Sequence, residues 1–173
     1  MSAIQPKIYY VDRDHVTGAV ANVLVSFSVA EPSRPYLDNW GTSSKELVAT
    51  YGQIVAMNII DSDAKPPSDA ARVEINRLIT TLSDKIVAIA IVPEGSGFLA
   101  AAKRSALSMI TLMSRRPFPI RVFGDVAEAS NWLISQLRSS SIPARLDMST
   151  LATAAESIRN VRRSSDQFDA PHV

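Results

Sequence analysis

The sequence predicts an α/β fold: a mixed sheet built from an N-terminal antiparallel hairpin plus three parallel strands with flanking helices, followed by an extra C-terminal helix. Three observations carry this. The runs Ile54–Ile60, Ile86–Val92 and Ile120–Phe123 are short, β-branched and nearly unbroken, as strands buried on both faces of a parallel sheet tend to be. Amphipathic stretches of helical period separate and follow them. Ahead of them, Val23, Val25, Phe27 and Val29 alternate with Asn22, Ser26 and Ser28, the pattern of a strand with one covered and one wetter face.

Taken in order, Lys7–Val11 is a short aromatic strand, and Asp12-Arg13-Asp14-His15 with Thr17-Gly18 supply turn formers before the second strand, so residues 7–29 read as a hairpin at the sheet edge. Glu31-Pro32-Ser33-Arg34-Pro35 breaks that strand. Thr42-Ser43-Ser44 introduces a helix to about Tyr51, with Ser43 and Glu46 at capping-box spacing. Tyr36, Leu37 and Trp40 form either an earlier turn of the same helix or a loop beneath it, and Gly41 argues against continuity. Gly52 stops the helix.

Strand Ile54–Ile60 ends in Asp61-Ser62-Asp63, and Pro66-Pro67 forbids helix until Ser68 acts as N-cap. Ala71, Ile75, Leu78, Ile79 and Leu82 then share one helical face. Strand Ile86–Val92 leads through Pro93-Glu94-Gly95-Ser96-Gly97 into a helix, Phe98–Ser114, charged only at Lys103 and Arg104 and therefore buried widely or paired. After Arg115–Pro119 and the last strand, Asp125 with Glu128 caps a helix carrying Val126, Ala129, Leu133 and Leu137 on one side.

Beyond Leu137 the composition changes. We expect an α/β domain over 7–138, a serine-rich linker over 139–147, a helix over 148–163 capped by Asp147 and striped by Leu151, Ala155 and Ile158, and a disordered tail over 164–173. Arg159, Arg162 and Arg163 sit near that helix's C-terminal end, where the macrodipole favours cations. The linker lets the helix dock on its own sheet, on a twin subunit or on another protein.

At 173 residues and 46% hydrophobic, the chain has material for one domain with appendages. A net charge of +1 supplies no long-range field for nucleic acid or an anionic membrane. The absence of cysteine excludes disulfides, thiolate metal sites and a cysteine nucleophile, and fits a reducing cytoplasm. No leader pattern and no run of about 18 apolar residues is present, so the expectation is a cytoplasmic protein without membrane insertion.

The order of elements resembles the STAS domain, the anti-sigma-factor-antagonist fold, shared in outline with STAS-like and SEC14-like bacterial proteins. The likeness covers about residues 7–138. It rests on Ile59-Ile60-Asp61-Ser62-Asp63 and on Arg116-Pro117-Phe118-Pro119-Ile120-Arg121-Val122-Phe123 with Ala129 and Trp132-Leu133. In phospho-regulated STAS domains a D-S-S-G or D-T-S-G turn follows the strand, and its second hydroxyl residue is phosphorylated by a partner kinase. Asp61 and Ser62 match that turn, but Asp63 stands at the acceptor position and Ala64 at the glycine. Either the switch is lost, or Asp63 imitates a permanently charged state, or the match is fortuitous; Ser62 and Ser68 are the remaining hydroxyls. The resemblance implies a regulatory protein-interaction domain, with another protein or a second copy of the chain as partner. The alternative it implies is a small-molecule or lipid carrier of SEC14-like topology.

The chemistry-bearing residues give no catalytic set. Asp61 and Asp63 at a strand's C-terminal end could hold Mg²⁺ through waters, but they equally satisfy a strand-to-helix turn. Gly95-Ser96-Gly97 ahead of a helix is an anion-binding candidate that lacks the third glycine of a dinucleotide fingerprint and the lysine of a P-loop. His15 in a turn and His172 near the end are not expected to be oriented by a carboxylate, as a catalytic base must be. We expect no enzyme activity, no metal and no cofactor.

Overall fold

The computed structural model describes residues 5–95, 116–140 and 146–166. They form a sheet in the order β1 (Lys7–Val11), β2 (His15–Val20), β3 (Val23–Ser28), β4 (Ile54–Ile60), β5 (Ile86–Pro93), β6 (Ile120–Val122). β1, β2 and β3 pair antiparallel in succession, and β3 to β6 run parallel. The mixed α/β sheet expected from the sequence is therefore present, with one strand more. His15, Thr17 and Gly18, read above as turn formers, lie in β2 (His15–Val20), which is buried at every position. β1–β2 and β2–β3 are successive hairpins; the second is closed by Ala21 and Asn22, and Ala21 takes the left-handed φ of 48° that so short a connection needs at its first position.

Alternation along the strands sends two sets of side chains to two faces. Val16, Val20, Val25, Phe27, Met57, Ile59, Ala90 and Val92 share one core cluster with α3 (Val126–Ser139) and α4 (Met148–Asp166). Ala19, Leu24, Ile54, Ala56, Ile86 and Ile89 share the other with α1 (Arg34–Tyr51) and α2 (Asp69–Thr81). Ile86 and Ile89 face the same way despite their odd spacing because the β4–β5 register slips at Val87, placing Val55 opposite Ala88.

α1 begins nine residues before Ser43. Ser33 Oγ accepts from the Tyr36 amide at 3.3 Å, and Pro35 fits the first turn because it has no N–H to leave unpaired. Tyr36, Leu37 and Trp40 thus belong to the helix. The expected capping box does not form, for Ser43 Oγ donates to Asn39 Oδ1 at 3.1 Å within the helix. Gly41 continues α1 because a Cβ there would lie 2.7 Å from Leu78 Cδ2 of α2, so the glycine sets how closely the two helices approach. Gly52 ends α1 at φ 82°. Ser68 and Asp125 cap α2 and α3 as expected.

α4 runs three residues past the expected end, to Asp166. It lies across β2 and β3 and against α3, with Leu151, Ala154, Ala155 and Ile158 buried in the shared core. Arg159, expected at the helix end, sits inside it and pairs with Glu94 and Glu156, its guanidinium 5.2 Å from the Phe27 ring centre. The Phe98–Ser114 helix and Ser96-Gly97 lie outside the described residues, as does the 167–173 stretch of the expected tail.

Candidate functional site

With both faces of the sheet covered by helices, the C-terminal ends of β4 and β5 carry Asp61-Ser62-Asp63 and Gly95, among the described residues singled out above. The start of β2 joins them, since His15 pairs with Ser28. Asp61 leaves β4 with its amide donating to Ser28 O at 2.8 Å. Its Oδ1 accepts the Asp63 amide at 2.9 Å and its carbonyl accepts the Ala64 amide at 3.1 Å. The carboxylate thus builds the turn that projects Ser62 and Asp63, both exposed, while Ala64 turns back into the interior.

Ser68 closes the same loop. Its Oγ accepts from the Ala71 amide at 3.4 Å, and its own amide donates to Glu31 Oε1 at 2.9 Å. The Ser68 hydroxyl and amide hold the Glu31 carboxyl below its ordinary range. Of the glycine turn, Gly95 has a φ of 115° and borders an open cavity of about 400 Å³ lined by Glu94, Gly124, Asp125, Ala152 and Glu156. Its carboxylates are already engaged, Glu94 and Glu156 with Arg159 and Asp125 as the α3 cap. Among the described residues, no three His, Asp or Glu side chains gather in a way that could hold a metal ion.

One cluster at this end escaped the sequence reading. His15 is 1% exposed, its ring stacked on Tyr36 with centroids 4.5 Å apart. Nδ1 lies 3.1 Å from Asp12 Oδ1, and Nε2 lies 3.1 Å from Glu31 O. Asp12 also accepts from the Asp14 and His15 amides at 2.8 and 2.7 Å and from the Tyr10 hydroxyl at 2.6 Å. Burial pushes the Asp12 carboxyl up, but the Tyr10 hydroxyl, the two amides and the neighbouring imidazole outweigh it and hold the group below its ordinary value. Burial raises Tyr36. A carboxylate therefore does orient His15, contrary to expectation, because β2 starts at the histidine and folds Asp12 back across it. The arrangement differs from a catalytic dyad in that the second ring nitrogen meets a peptide carbonyl instead of a nucleophile.

The fold has a counterpart of known structure. A structure described as an uncharacterized protein of the DUF3478 family with a SpoIIAA-like fold, from Shewanella loihica PV-4, superposes with a TM-score of 0.50, covering 77% of this chain and 98% of that one. The chain has a SpoIIAA-like fold. At 18% identity the likeness shows the SpoIIAA-like fold alone, and it is the STAS-type architecture that the sequence resemblance implied. No protein-family model matches the sequence, and no curated protein does. No helix among the described residues is long and apolar enough to cross a membrane.

Proposed function

We propose that the chain is a non-enzymatic regulatory domain that acts in the cytoplasm by binding another protein through the C-terminal end of its sheet. The observation that carries this reading is the Asp61-Ser62-Asp63 turn. Asp61 spends its carboxylate on fixing the turn, and the residues it projects, Ser62 and Asp63, are exposed. A rigid, charged turn beside a helix N-terminus is suited to being read by a partner surface, where electrostatic complementarity supplies specificity. The SpoIIAA-like fold supports the reading at the level of architecture.

A photo-crosslinking side chain placed at Asp63, with Asp84 at the opposite end of the sheet as control, tests this in the source cell. The expected result is a discrete protein adduct from position 63 and none from 84. Equal adducts at both positions, or none at 63 with a lipid or small molecule retained on native mass spectrometry, would overturn the reading in favour of a carrier.

A further inference from the structure

His15 is enclosed on every side. β1 brings Tyr10, whose hydroxyl goes to Asp12; the β1–β2 turn brings the Asp12 carboxylate to Nδ1; the loop after β3 brings Glu31, which offers its carbonyl to Nε2 and turns its carboxylate to the Ser68 amide; α1 lays the Tyr36 ring on the imidazole. A carboxylate and a peptide carbonyl are acceptors only, whereas neutral imidazole has a single N–H. In the neutral ring, whichever tautomer forms, one nitrogen lone pair faces an oxygen at 3.1 Å. The doubly protonated ring donates to both, with the half-buried Asp12 as its counter-charge, so that the buried cation is neutralised where it lies.

We propose that His15 is a buried imidazolium and that its second proton operates a latch, tying the Asp12 turn to the Glu31 loop and, through Glu31, to Ser68 at the end of the Asp61 loop. Glu31 stands two residues before the α1 cap Ser33 and binds the amide of the α2 cap Ser68. The carboxylate is the stronger acceptor and keeps the remaining proton on Nδ1, so the one that leaves is that on Nε2; the Nε2 contact then changes from attraction to repulsion and the Glu31 carbonyl is released. The direction is fixed: the latch is closed while the ring is doubly protonated and opens as pH rises. The inference is independent of what this end of the sheet binds.

The test uses the full-length, ¹⁵N-labelled chain, which has only two histidines, so that His172→Ala assigns the ring signals of His15. Long-range ¹H–¹⁵N spectra are recorded from about pH 5 to about pH 8, the range over which histidine charge ordinarily changes. The expected result is a proton on both His15 nitrogens at neutral pH, with Glu31 and Ser68 amide signals shifting together as the second proton is lost; a ring that keeps both protons up to the highest pH at which the chain stays folded overturns the latch. A single protonated nitrogen at neutral pH overturns the imidazolium. Loss of the second proton with both amide signals unmoved overturns the latch. In His15→Gln the pH response of the two amides should disappear; because the wild-type spectra decide the state of the ring, misfolding of that variant leaves the result intact.

Discussion

Replacing Ile158 by alanine probes whether the C-terminal helix is part of the core or an appendage. Ile158 is fully buried, and the strand beneath it has been shaped to receive it: a Cβ on Gly18 of β2 would lie 2.9 Å from Ile158 Cγ1, 3.0 Å from Cδ1 and 3.0 Å from the Lys7 carbonyl. Truncating a buried isoleucine removes its transfer free energy and leaves a cavity, together about 2–5 kcal/mol. Against a domain stability of about 5–15 kcal/mol this is a large fraction. Gly18→Ala attacks the same contact from the other side by overpacking, at about 1–3 kcal/mol. The two losses should not add. In the Ile158→Ala background the new methyl on residue 18 enters space the isoleucine has vacated, and only the Lys7 carbonyl remains close, so a coupling of about 1 kcal/mol or more is expected. Urea unfolding of the wild type, both single variants and the double variant measures all four corners of the cycle, provided the m-value is unchanged. A loss below about 0.5 kcal/mol for Ile158→Ala, the range of surface substitutions, or strict additivity in the cycle would refute the claim that α4 completes this core.

Asp61→Ala should cost about 1 kcal/mol by removing the acceptor of the Asp63 amide, whereas Asp63→Ala should stay within about 0.5 kcal/mol because its side chain is exposed; paired thermal melts distinguish them. Asp125→Ala removes the α3 cap that accepts the Glu128 amide at 2.8 Å and should lower stability by about 1 kcal/mol in urea unfolding. Because the folded-state Asp12 carboxyl titrates below its ordinary value, it contributes stability that is present above the unfolded carboxyl range, near pH 3.9, and is lost as pH falls through the lower folded value. Tyr10→Phe deletes one of the donors that hold Asp12 down, so stability measured between about pH 5 and pH 2 should fall less steeply in that variant.

What the sequence disclosed, and what it hid, follows from the range of the interactions concerned. β4 and β5 are covered on both faces, a condition that demands an unbroken apolar run and so writes itself into Ile54–Ile60 and Ile86–Val92. Helix caps are equally local, and Ser68 and Asp125 were readable from the residues beside them. β2 was not. Its Thr17 and Gly18 have the composition of a turn, yet Gly18 serves a strand because Ile158, 140 residues later, must come within touching distance. α1 hid its start for a related reason: Gly41 reads as a break until Leu78 of another helix is seen to require its missing side chain. In the site, the Asp61 turn was legible because its bonds span two or three residues. The His15 cluster joins residues 12, 15, 31 and 36 across a strand pair and a loop, and only the Asp-x-x-His spacing of Asp12 and His15 left a local trace.

The placement of Asp63 limits how such a site can be regulated on the proposed reading. A phosphate adds about −1.5 to −2 charges and can be removed, whereas an aspartate contributes a single charge that is permanent. A partner that reads Asp63 would therefore find the same signal at all times, and switching has to come from another group, either the exposed Ser62 of the same turn or one that changes state elsewhere at this end of the sheet. Ser68 is engaged as the α2 cap and faces the Glu31 carboxylate, which would repel a phosphate placed on it. His15 differs from both. Its state depends on a proton, its contacts reach Glu31 and through Glu31 reach Ser68, and it is sealed from solvent by Tyr36 and the Asp12 turn. Regulation by His15 would then act on the loop that displays Asp63 through the position of the loop, with its charge constant.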